Sequence, residues 1–256
     1  MKNNNIILYA GKTLGNLVLN YMIKNHRPEY LIPNLDDNGK DNLLHQSTIK
    51  IAKNNGVKII NNKKLINLCK KKTIDYIICA GTTIIIPQEI LNSCKNGAIN
   101  FHPSLLPKHR GRYSTVHAIF NGEKNTGVTC HWISSEIDKG NIIYQKKFKI
   151  RNFHTAKDLY EIFTDEAFIL FKRMFSKILQ NKKIKSKKIK AKTKYKKKYL
   201  PNKGQIDWSW NGKKIFNFIR SMTYEPFEPP SFFIGDRKFY IAEEKLIKKN
   251  FLKSPK

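Results

Sequence analysis

Residues 76–107, YIICAGTTIIIPQEILNSCKNGAINFHPSLLP, decide the fold of this chain. The apolar run YIICAG at 76–81 is short and bounded by a glycine, which is typical of a buried parallel strand. AINFH at 98–102 alternates around an apolar run and predicts a second strand that ends at His102. Both segments indicate an open α/β sheet, in which ligands bind beyond the carboxyl ends of the strands.

The segments on either side continue this pattern. Strands and helices alternate through about residue 135, which predicts a Rossmann-like, doubly wound and mostly parallel α/β sheet. The apolar residues of Thr155–Gln180 recur at helical spacing, with Thr155 as a cap. Further predicted elements are the strand IILYA at 6–10, the turn Gly11–Gly15 into a helix, and the strands EYLIPNL and VKIIN with a helix between them.

The composition changes after residue 177. Lys177–Lys198 contains many lysines and no acidic residue, which predicts an exposed connector. Beyond it we expect a short amphipathic helix around Ile215–Met222, and a hairpin that turns at Gly235-Asp236. The predicted organisation is a catalytic domain at 1–180, a connector at 181–203, and a small α+β extension at 204–256.

The composition limits the classes of protein. The chain has 256 residues and a formal net charge of +30 at pH 7, carried mostly by lysine. The excess of lysine over arginine is typical of coding bias and favours a simply solvated surface. A second interpretation is that the positive charge draws in anionic small molecules, and a third is a nucleic-acid or membrane-surface role. We expect no secretion signal, no membrane insertion, reduced thiols at the four cysteines, and a cytoplasmic location.

Three polar residues carry the chemistry of the sequence. Asn100 and His102 are i and i+2 on a predicted strand, so their side chains leave the same face. A histidine can act as a base near neutral pH, an asparagine amide can donate to an oxyanion, and Asp138 can orient the imidazole. These groups indicate acyl transfer to an amine, although each residue alone is more typical of a structural or turn position.

The combination of motifs resembles the folate-dependent formyltransferase family. This family includes glycinamide ribonucleotide, methionyl-tRNA and nucleotide-sugar formyltransferases. The resemblance rests on the pattern N-x-H-P-S-L-L-P at 100–107, on TGVT at 126–129, and on DKGNII at 138–143. It covers about residues 1–180 well and the remainder more loosely.

The resemblance implies a mechanism and a cosubstrate. A substrate amine would attack the formyl carbon of 10-formyltetrahydrofolate, and a tetrahedral intermediate would then release tetrahydrofolate. His102 would be the general base or would stabilise the oxyanion, Asn100 would hold the formyl oxygen, and Asp138 would orient His102. Neither a metal ion nor a covalent enzyme intermediate is implied.

The same resemblance implies a folate pocket between two loops, Gly81–Ile86 and Ser134–Asp138. The apolar residues after the strand at 76–80 can supply its walls, although they can equally be core residues. Thr82 and Thr83 stand where family members often carry bulkier or more polar residues. The expected folate contacts are Thr83, Ile84, Ile85, Ile86, Ser134, Ser135, Glu136, Ile137 and Asp138.

The carboxyl-terminal region indicates the acceptor. Its IDW at 206–208 and its I-R-x-x-T at 219–223 resemble nucleotide-sugar N-formyltransferases. That resemblance implies an amino-dideoxy sugar nucleotide for surface polysaccharide, such as lipopolysaccharide O-antigen, and a homodimer. Lys12 and Thr13, at a helix amino end, are candidates for the diphosphate, and Arg220 is a third candidate substrate contact. Turn positions for Lys12 and Thr13 and an interdomain ion pair for Arg220 are the competing interpretations.

Two other functions fit parts of the sequence. A methionyl-tRNA formyltransferase shares the IDW and I-R patterns but carries a full β-barrel domain, for which we expect no room before Lys256. A non-catalytic protein that binds nucleic acid or another partner is a further alternative, which the complete set of Asn100, His102 and Asp138 opposes. The leading prediction is therefore a sugar N-formyltransferase with small-molecule substrates and no nucleic-acid partner.

Overall fold

The computed structural model describes residues 4–42, 45–189, 199–224 and 228–241. Their strands are β1 (Ile6–Ala10), β2 (Tyr30–Pro33), β3 (Tyr76–Ala80), β4 (Ala98–His102), β5 (Asn125–Trp132), β6 (Ile142–Lys149), β7 (Ser231–Ile234) and β8 (Arg237–Tyr240). The helices are α1 (Lys12–Asn25), α2 (Thr48–Asn54), α3 (Asn62–Cys69), α4 (Gln88–Ser93), α5 (Ser114–Phe120), α6 (Ala156–Leu179) and α7 (Gly212–Met222), with a 3-10 helix at Pro201–Gly204.

Six strands form one sheet in the order β2-β1-β3-β4-β5-β6. The first four strands of that order are parallel, whereas β5 runs antiparallel to both β4 and β6. The carboxyl ends of β1, β3 and β4 therefore lie at one edge, where a ligand crevice is expected. The prediction of a mostly parallel α/β sheet with a small carboxyl-terminal hairpin is confirmed.

Alternate residues of β1 face opposite layers of helices. Ile6 and Leu8 belong to a core that contains Leu14 of α1 and Phe171 of α6. Ile7 and Tyr9 belong to the opposite core, which contains Leu65 of α3 and Ile90 of α4. Because both faces are covered, all five residues of β1 are buried. This explains why the sequence of β1 is a continuous apolar run rather than an alternating one.

One predicted strand is reduced to an isolated bridge. VKIIN at 57–61 contacts β2 through the bridge of Leu31 with Ile59. The backbone N–H of Leu31 donates to the carbonyl of Lys58 over 2.9 Å, and the N–H of Ile60 donates back to Leu31 over 3.0 Å. The segment cannot extend further because the Asn61 side chain caps α3 by accepting from the N–H of Lys64. The cap therefore ends the strand before a second bridge forms.

Helix α6 begins where its cap predicts. The Thr155 side chain accepts a hydrogen bond from the N–H of Asp158, and the Asp158 carboxylate accepts from the N–H of Thr155. The helix then packs Phe163, Phe171 and Phe175 into the core of the sheet. Capping and apolar spacing thus agree, and a long helix follows β6 as expected.

The carboxyl-terminal extension packs on α5. Phe218 and Met222 of α7 lie in one buried cluster with Val116 and Ile119 of α5. The hairpin pairs β7 with β8 in antiparallel register, and Ile234 is opposite Arg237 across the Gly235-Asp236 turn. The predicted division at residues 180 and 203 stays a prediction, because residues 190–198 of the connector and 242–256 of the extension lie outside the described residues.

Candidate active site

Strand β4 places Asn100 and His102 on the same face of the sheet. The residue between them, Phe101, points into the opposite core against Phe171. Asn100 is half-buried, whereas only 4% of His102 is exposed. A buried imidazole needs partners for both ring nitrogens, and three surrounding segments supply them.

The Asp138 carboxylate lies between two imidazoles. Its Oδ2 is 3.4 Å from Nδ1 of His102, and its Oδ1 is 3.5 Å from Nε2 of His131. His131 lies on β5 directly opposite Asn100 in the register, and Nε2 of His131 is 3.3 Å from Nδ2 of Asn100. The structure thus brings Asn100, His102 and Asp138 together, and it adds His131 as a shared neighbour.

The loop between β4 and α5 closes over the imidazole of His102. Nε2 of His102 lies 2.9 Å from the carbonyl oxygen of His109 and 3.2 Å from Oγ of Ser114. The backbone N–H of Gly111 donates to Oδ2 of Asp138 over 2.8 Å. In protonated His102, Nε2–H would therefore donate to a carbonyl and Nδ1–H to a carboxylate, so the site can hold a proton there.

Backbone strain is concentrated in these loops. His109, Tyr113 and Asp138 have φ values of 51°, 61° and 52°, a region that non-glycine residues rarely adopt. Strain of this kind is commonly stored where a functional geometry has to be held. Gly140 allows the loop that carries Asp138 to fold back, because a Cβ there would lie 1.7 Å from the carbonyl oxygen of Trp132.

Burial and charge set the protonation of the pair. Burial lowers the pKa of His102 below 6.5, although the Asp138 carboxylate and the His109 carbonyl act to raise it. Burial alone would raise the pKa of Asp138, but His102, His131 and the N–H of Gly111 together hold it well below its usual range. At neutral pH the site therefore holds an ionised carboxylate beside a neutral imidazole, which is ready to accept a proton.

The Ser104–Pro107 turn is fixed to the neighbouring strands. Oγ1 of Thr129 donates to the carbonyl of Ser104 over 2.6 Å and accepts from the N–H of Leu106 over 3.0 Å. The Gln145 amide on β6 donates to the carbonyl of Leu106 over 2.8 Å. These bonds fix the backbone immediately after His102, which explains why a compact turn follows the strand.

The two loops predicted to contact folate each expose an isoleucine. Ile85 is 75% exposed and Ile137 is 40% exposed, whereas Ile86 is buried in the core. Ile84 packs against the same core cluster as Ile133, at the start of the second loop. The first loop therefore divides into core residues, Ile84 and Ile86, and one free apolar side chain, Ile85.

Asn34, which the sequence analysis did not single out, holds the first of these loops. Its amide donates to the carbonyl of Gly81 over 3.1 Å and accepts from the N–H of Thr83 over 2.9 Å. A Cβ at Gly11 would lie 2.1 Å from Nδ2 of Asn34, so the turn after β1 packs closely against the Asn34 side chain. Asn34 thus joins the turns that follow β1, β2 and β3.

The second loop has its own internal contacts. Ser134 Oγ donates to the carbonyl of Glu136 over 3.0 Å. Nε of Arg110 donates to the carbonyl of Ile137 over 3.0 Å. These bonds hold the residues before Asp138, and the side chain of Ser135 beside them is exposed.

The predicted substrate residues occupy three different environments. Lys12 is half-buried at the start of α1, its ammonium lies 5.8 Å from the ring centre of Tyr160, and burial lowers its pKa. Thr13 is exposed. The guanidinium of Arg220 donates to the carbonyls of Arg151 (3.2 Å) and His154 (2.6 Å), so it ties α7 to the loop before α6.

Two further features were considered for the described residues, a metal-binding cluster and a membrane-spanning helix. Within residues 4–42, 45–189, 199–224 and 228–241, no group of three or more His, Cys, Asp or Glu side chains is arranged to hold a metal ion. Among the same residues, no helix has the length and apolar character needed to cross a bilayer.

Comparison with known proteins identifies the family. The Formyl transferase family model matches residues 37–174, which is more than half of the chain and includes Asn100, His102 and Asp138. The chain belongs to the formyl transferase family. The predicted resemblance and the predicted class of enzyme are therefore confirmed at the level of the family.

Two curated relatives and one crystal structure illustrate how this formyl transferase compares with others. The bifunctional polymyxin resistance protein ArnA of Wigglesworthia glossinidia brevipalpis is 30% identical over 94% of this chain, which spans 38% of the length of that relative. The methionyl-tRNA formyltransferase of Mycoplasma capricolum is 27% identical, and the match covers 96% of this chain and 80% of that protein.

The structural comparison extends over the extension as well. An N-formyltransferase from Helicobacter canadensis, crystallised with folinic acid and dTDP-3-aminofucose, matches with a TM-score of 0.78 and 26% identity. The match covers 91% of this chain and 84% of that one.

Proposed function

We propose that this formyl transferase moves the formyl group of 10-formyltetrahydrofolate to the amine of a nucleotide-linked amino-dideoxy sugar. The observation that carries the proposal is that the buried His102, at the carboxyl end of β4, lies beside Asn100 of the same strand face and 3.4 Å from the Asp138 carboxylate. The likeness to the Helicobacter canadensis enzyme, which was crystallised with a folate and an amino-sugar nucleotide, supports the choice of substrates.

The reaction follows from the protonation of the site. The amine nitrogen attacks the formyl carbon, and the carbonyl oxygen becomes an oxyanion to which the Asn100 amide donates. Neutral His102 accepts the proton that the amine loses, and Asp138 stabilises the resulting imidazolium over 3.4 Å. When the tetrahedral intermediate collapses, the bond from carbon to the folate N10 breaks, and the proton passes from His102 to that nitrogen.

The folate pocket is proposed between the loops at 81–86 and 134–138. Ile85 and Ile137 expose apolar side chains, one from each loop, and such surfaces suit a flat ring system. Asn34 and Arg110 hold the backbone of these loops through hydrogen bonds. The proposed contacts are Thr83, Ile84, Ile85, Ile86, Ser134, Ser135, Glu136, Ile137 and Asp138.

The diphosphate is proposed at the amino end of α1. That end has no acidic residue in its first turn and no side-chain cap, so its N–H groups are available to an anion. Strand β3 separates β1 from β4, so about 10 Å lies between the strand that leads to Lys12 and the catalytic strand. A sugar diphosphate can span this distance, with the amine at His102 and the phosphates at Lys12 and Thr13.

A second acceptor has specific support. The methionyl-tRNA formyltransferase of Mycoplasma capricolum matches 96% of this chain, and the net charge of +30 would favour an RNA substrate. The sugar is preferred because the Helicobacter canadensis enzyme, which was crystallised with an amino-sugar nucleotide, matches 91% of this chain with a TM-score of 0.78. Homodimer formation and a place in surface polysaccharide synthesis accompany this proposal as predictions.

The deciding experiment is formyl transfer from 10-formyltetrahydrofolate to purified acceptors. The acceptors are GDP-, dTDP- and UDP-linked amino sugars and methionyl-tRNA, each at the same concentration. Tetrahydrofolate release with one sugar nucleotide and not with methionyl-tRNA supports the proposal. Release with methionyl-tRNA alone would replace it with the second candidate.

A further inference from the structure

A continuous basic surface follows the free edge of the six-stranded sheet. We call it the basic edge. It combines the exposed side of β6, the second half of α6 and the segment 182–188. Its cationic residues are Lys146, Lys147, Lys149, Lys172, Arg173, Lys177, Lys182, Lys183, Lys185, Lys187 and Lys188.

Backbone and side-chain contacts join these three elements. Ile142 at the start of β6 and Lys187 exchange backbone hydrogen bonds of 2.8 Å and 2.7 Å. Arg173 and Lys177 of α6 lie 4.8 Å and 5.2 Å from the ring centre of Tyr144 on β6. The cations therefore lie along one edge of the sheet, with Lys146 on the face of β6 that α6 covers and Lys147 and Lys149 on the opposite face.

Acidic residues do not balance this charge. Among the described residues, the only ion pair on the basic edge joins Lys146 to Glu166 over 2.7 Å. Segments 142–149 and 172–188 contain no Asp or Glu. Like charges that are held together repel one another, so a polyanion that covers this edge would relieve the repulsion.

We propose that the basic edge docks this protein on an anionic lipid surface. Two aromatic rings lie beside these cations. Arg173 and Lys177 cover Tyr144, and Lys172 covers Phe168, so neither ring offers a free face on which a base could stack. Lysine acts as a point charge and suits a field of lipid phosphates, whereas nucleic-acid recognition favours the forks of arginine.

An exposed apolar side chain accompanies the charges. Ile169 is 51% exposed, and it precedes Lys172 and Arg173 by three and four residues on α6, so the three side chains share a face. Apolar residues beside lysines are typical of helices that rest in the headgroup region. Docking through this edge leaves the site on β4 free, because β5 lies between β4 and β6.

The test uses two variants with equal loss of charge. The first, K183Q/K185Q/K187Q/K188Q, removes four charges from the basic edge. The control, K53Q/K58Q/K70Q/K71Q, removes four exposed charges from the region of α2 and α3, outside the basic edge. Both full-length variants are compared with the wild type by sedimentation with vesicles of phosphatidylcholine alone or with 30% phosphatidylglycerol, and with transfer RNA in place of vesicles.

We expect the wild type to bind only the anionic vesicles. The affinity of the first variant for anionic vesicles should fall at least tenfold, and that of the control less than threefold. The reason is that lysines close to the bilayer surface contribute more to binding than lysines far from it. Equal losses in both variants would show a general charge effect and overturn the proposal. Absence of wild-type binding to anionic vesicles would also overturn it, and retention on transfer RNA alone would assign the edge to nucleic acid.

Discussion

The site on β4 buries polar side chains, whereas the carboxyl-terminal extension exposes apolar ones. At the site, His102 and His131 are buried, and both lie beside the Asp138 carboxylate, of which only 11% is exposed. In the extension, Trp208 is 60% exposed and Phe216 is 53% exposed. Burying polar groups is costly unless they are paired, so the first region indicates fixed chemistry. The second region keeps apolar surface free, which indicates recognition.

Mutations in these two regions should therefore change different kinetic constants. Changes at the site should lower kcat, because the groups there act on the reacting atoms. Changes that loosen the extension should instead raise KM for the acceptor. Helix α7 of the extension packs on α5, and the buried cluster that joins them contains no residue of β4.

The largest effect should come from the catalytic groups. Asn100→Ala, His102→Ala and Asp138→Ala should each lower kcat about a hundredfold or more, because each removes an oxyanion donor or a proton-transfer group. Steady-state kinetics with saturating substrates measures the effect. Asp165→Asn, at an exposed position of α6, serves as the control and should leave kcat unchanged. Near-normal rates in a folded His102→Ala protein would contradict the mechanism.

The pH profile should move with Asp138. Because burial lowers the pKa of His102, kcat should fall only when pH drops below about 6.5, as the imidazole becomes protonated. In Asp138→Asn the carboxylate that raises the pKa of His102 is lost, so the midpoint of the profile should move to lower pH. A midpoint that stays in place or rises would show that His102 is not the titrating base.

His131→Ala should have a smaller effect on kcat. Its Nε2 contacts both the Asn100 amide and the Asp138 carboxylate, so the variant should misplace these groups. We expect a loss of about tenfold, since one hydrogen bond contributes about 1 kcal/mol and a misplaced group loses more. His26→Ala, at the far end of α1, should retain full activity. Equal rates for both variants would make His131 a packing residue only.

Arg220→Ala should affect the extension selectively. The guanidinium ties α7 to residues 151 and 154, so its removal should raise KM for the nucleotide sugar about tenfold and change KM for folate less than twofold. Arg237→Ala on the exposed strand β8 is the matched control. A parallel rise of both KM values would show that Arg220 supports the structure of the whole protein and not the acceptor site in particular.

The loop held by Asn34 should give the reverse selectivity. Asn34→Ala removes both bonds to the turn at 81–83, so KM for 10-formyltetrahydrofolate should rise about fivefold while KM for the sugar nucleotide stays constant. Asn20→Ala, at an exposed position of α1, should change neither value. An unchanged KM for folate would remove this loop from the proposed pocket.

The smallest effect should be that of the lysines after α6. K183Q/K185Q/K187Q/K188Q should keep its turnover in solution at saturating substrate, because none of these residues contacts the site. A fall of more than threefold in kcat would mean that the segment takes part in catalysis.

Local patterns were enough to predict much of this molecule. Asn100 and His102 are two residues apart on one strand, so their shared face follows from strand geometry alone. Thr155 and Asp158 similarly predict the start of α6 from a short motif. The strand expected at 57–61 is present only as the bridge of Ile59 with Leu31, and the side chain of its last residue, Asn61, caps α3.

The residues that were missed depend on contacts between distant segments. His131 reaches Asn100 only through the register of β5 on β4, and no spacing within TCHW at 129–132 reveals that partner. A lone polar residue between two apolar ones in a strand was the available signal. Asn34 reaches Gly81 across the sheet order β2-β1-β3, which a single sequence does not specify. Asp138 was placed by the resemblance to the family and not by local geometry.

The most direct test of the account is formyl transfer by the wild type and by His102→Ala with the panel of sugar nucleotides and methionyl-tRNA. We predict that the wild type releases tetrahydrofolate with one sugar nucleotide and transfers no formyl group to methionyl-tRNA. We also predict that the rate of the variant is about a hundredfold lower. Transfer to methionyl-tRNA alone would contradict the proposed acceptor. Release that His102→Ala leaves unchanged would contradict the proposed site.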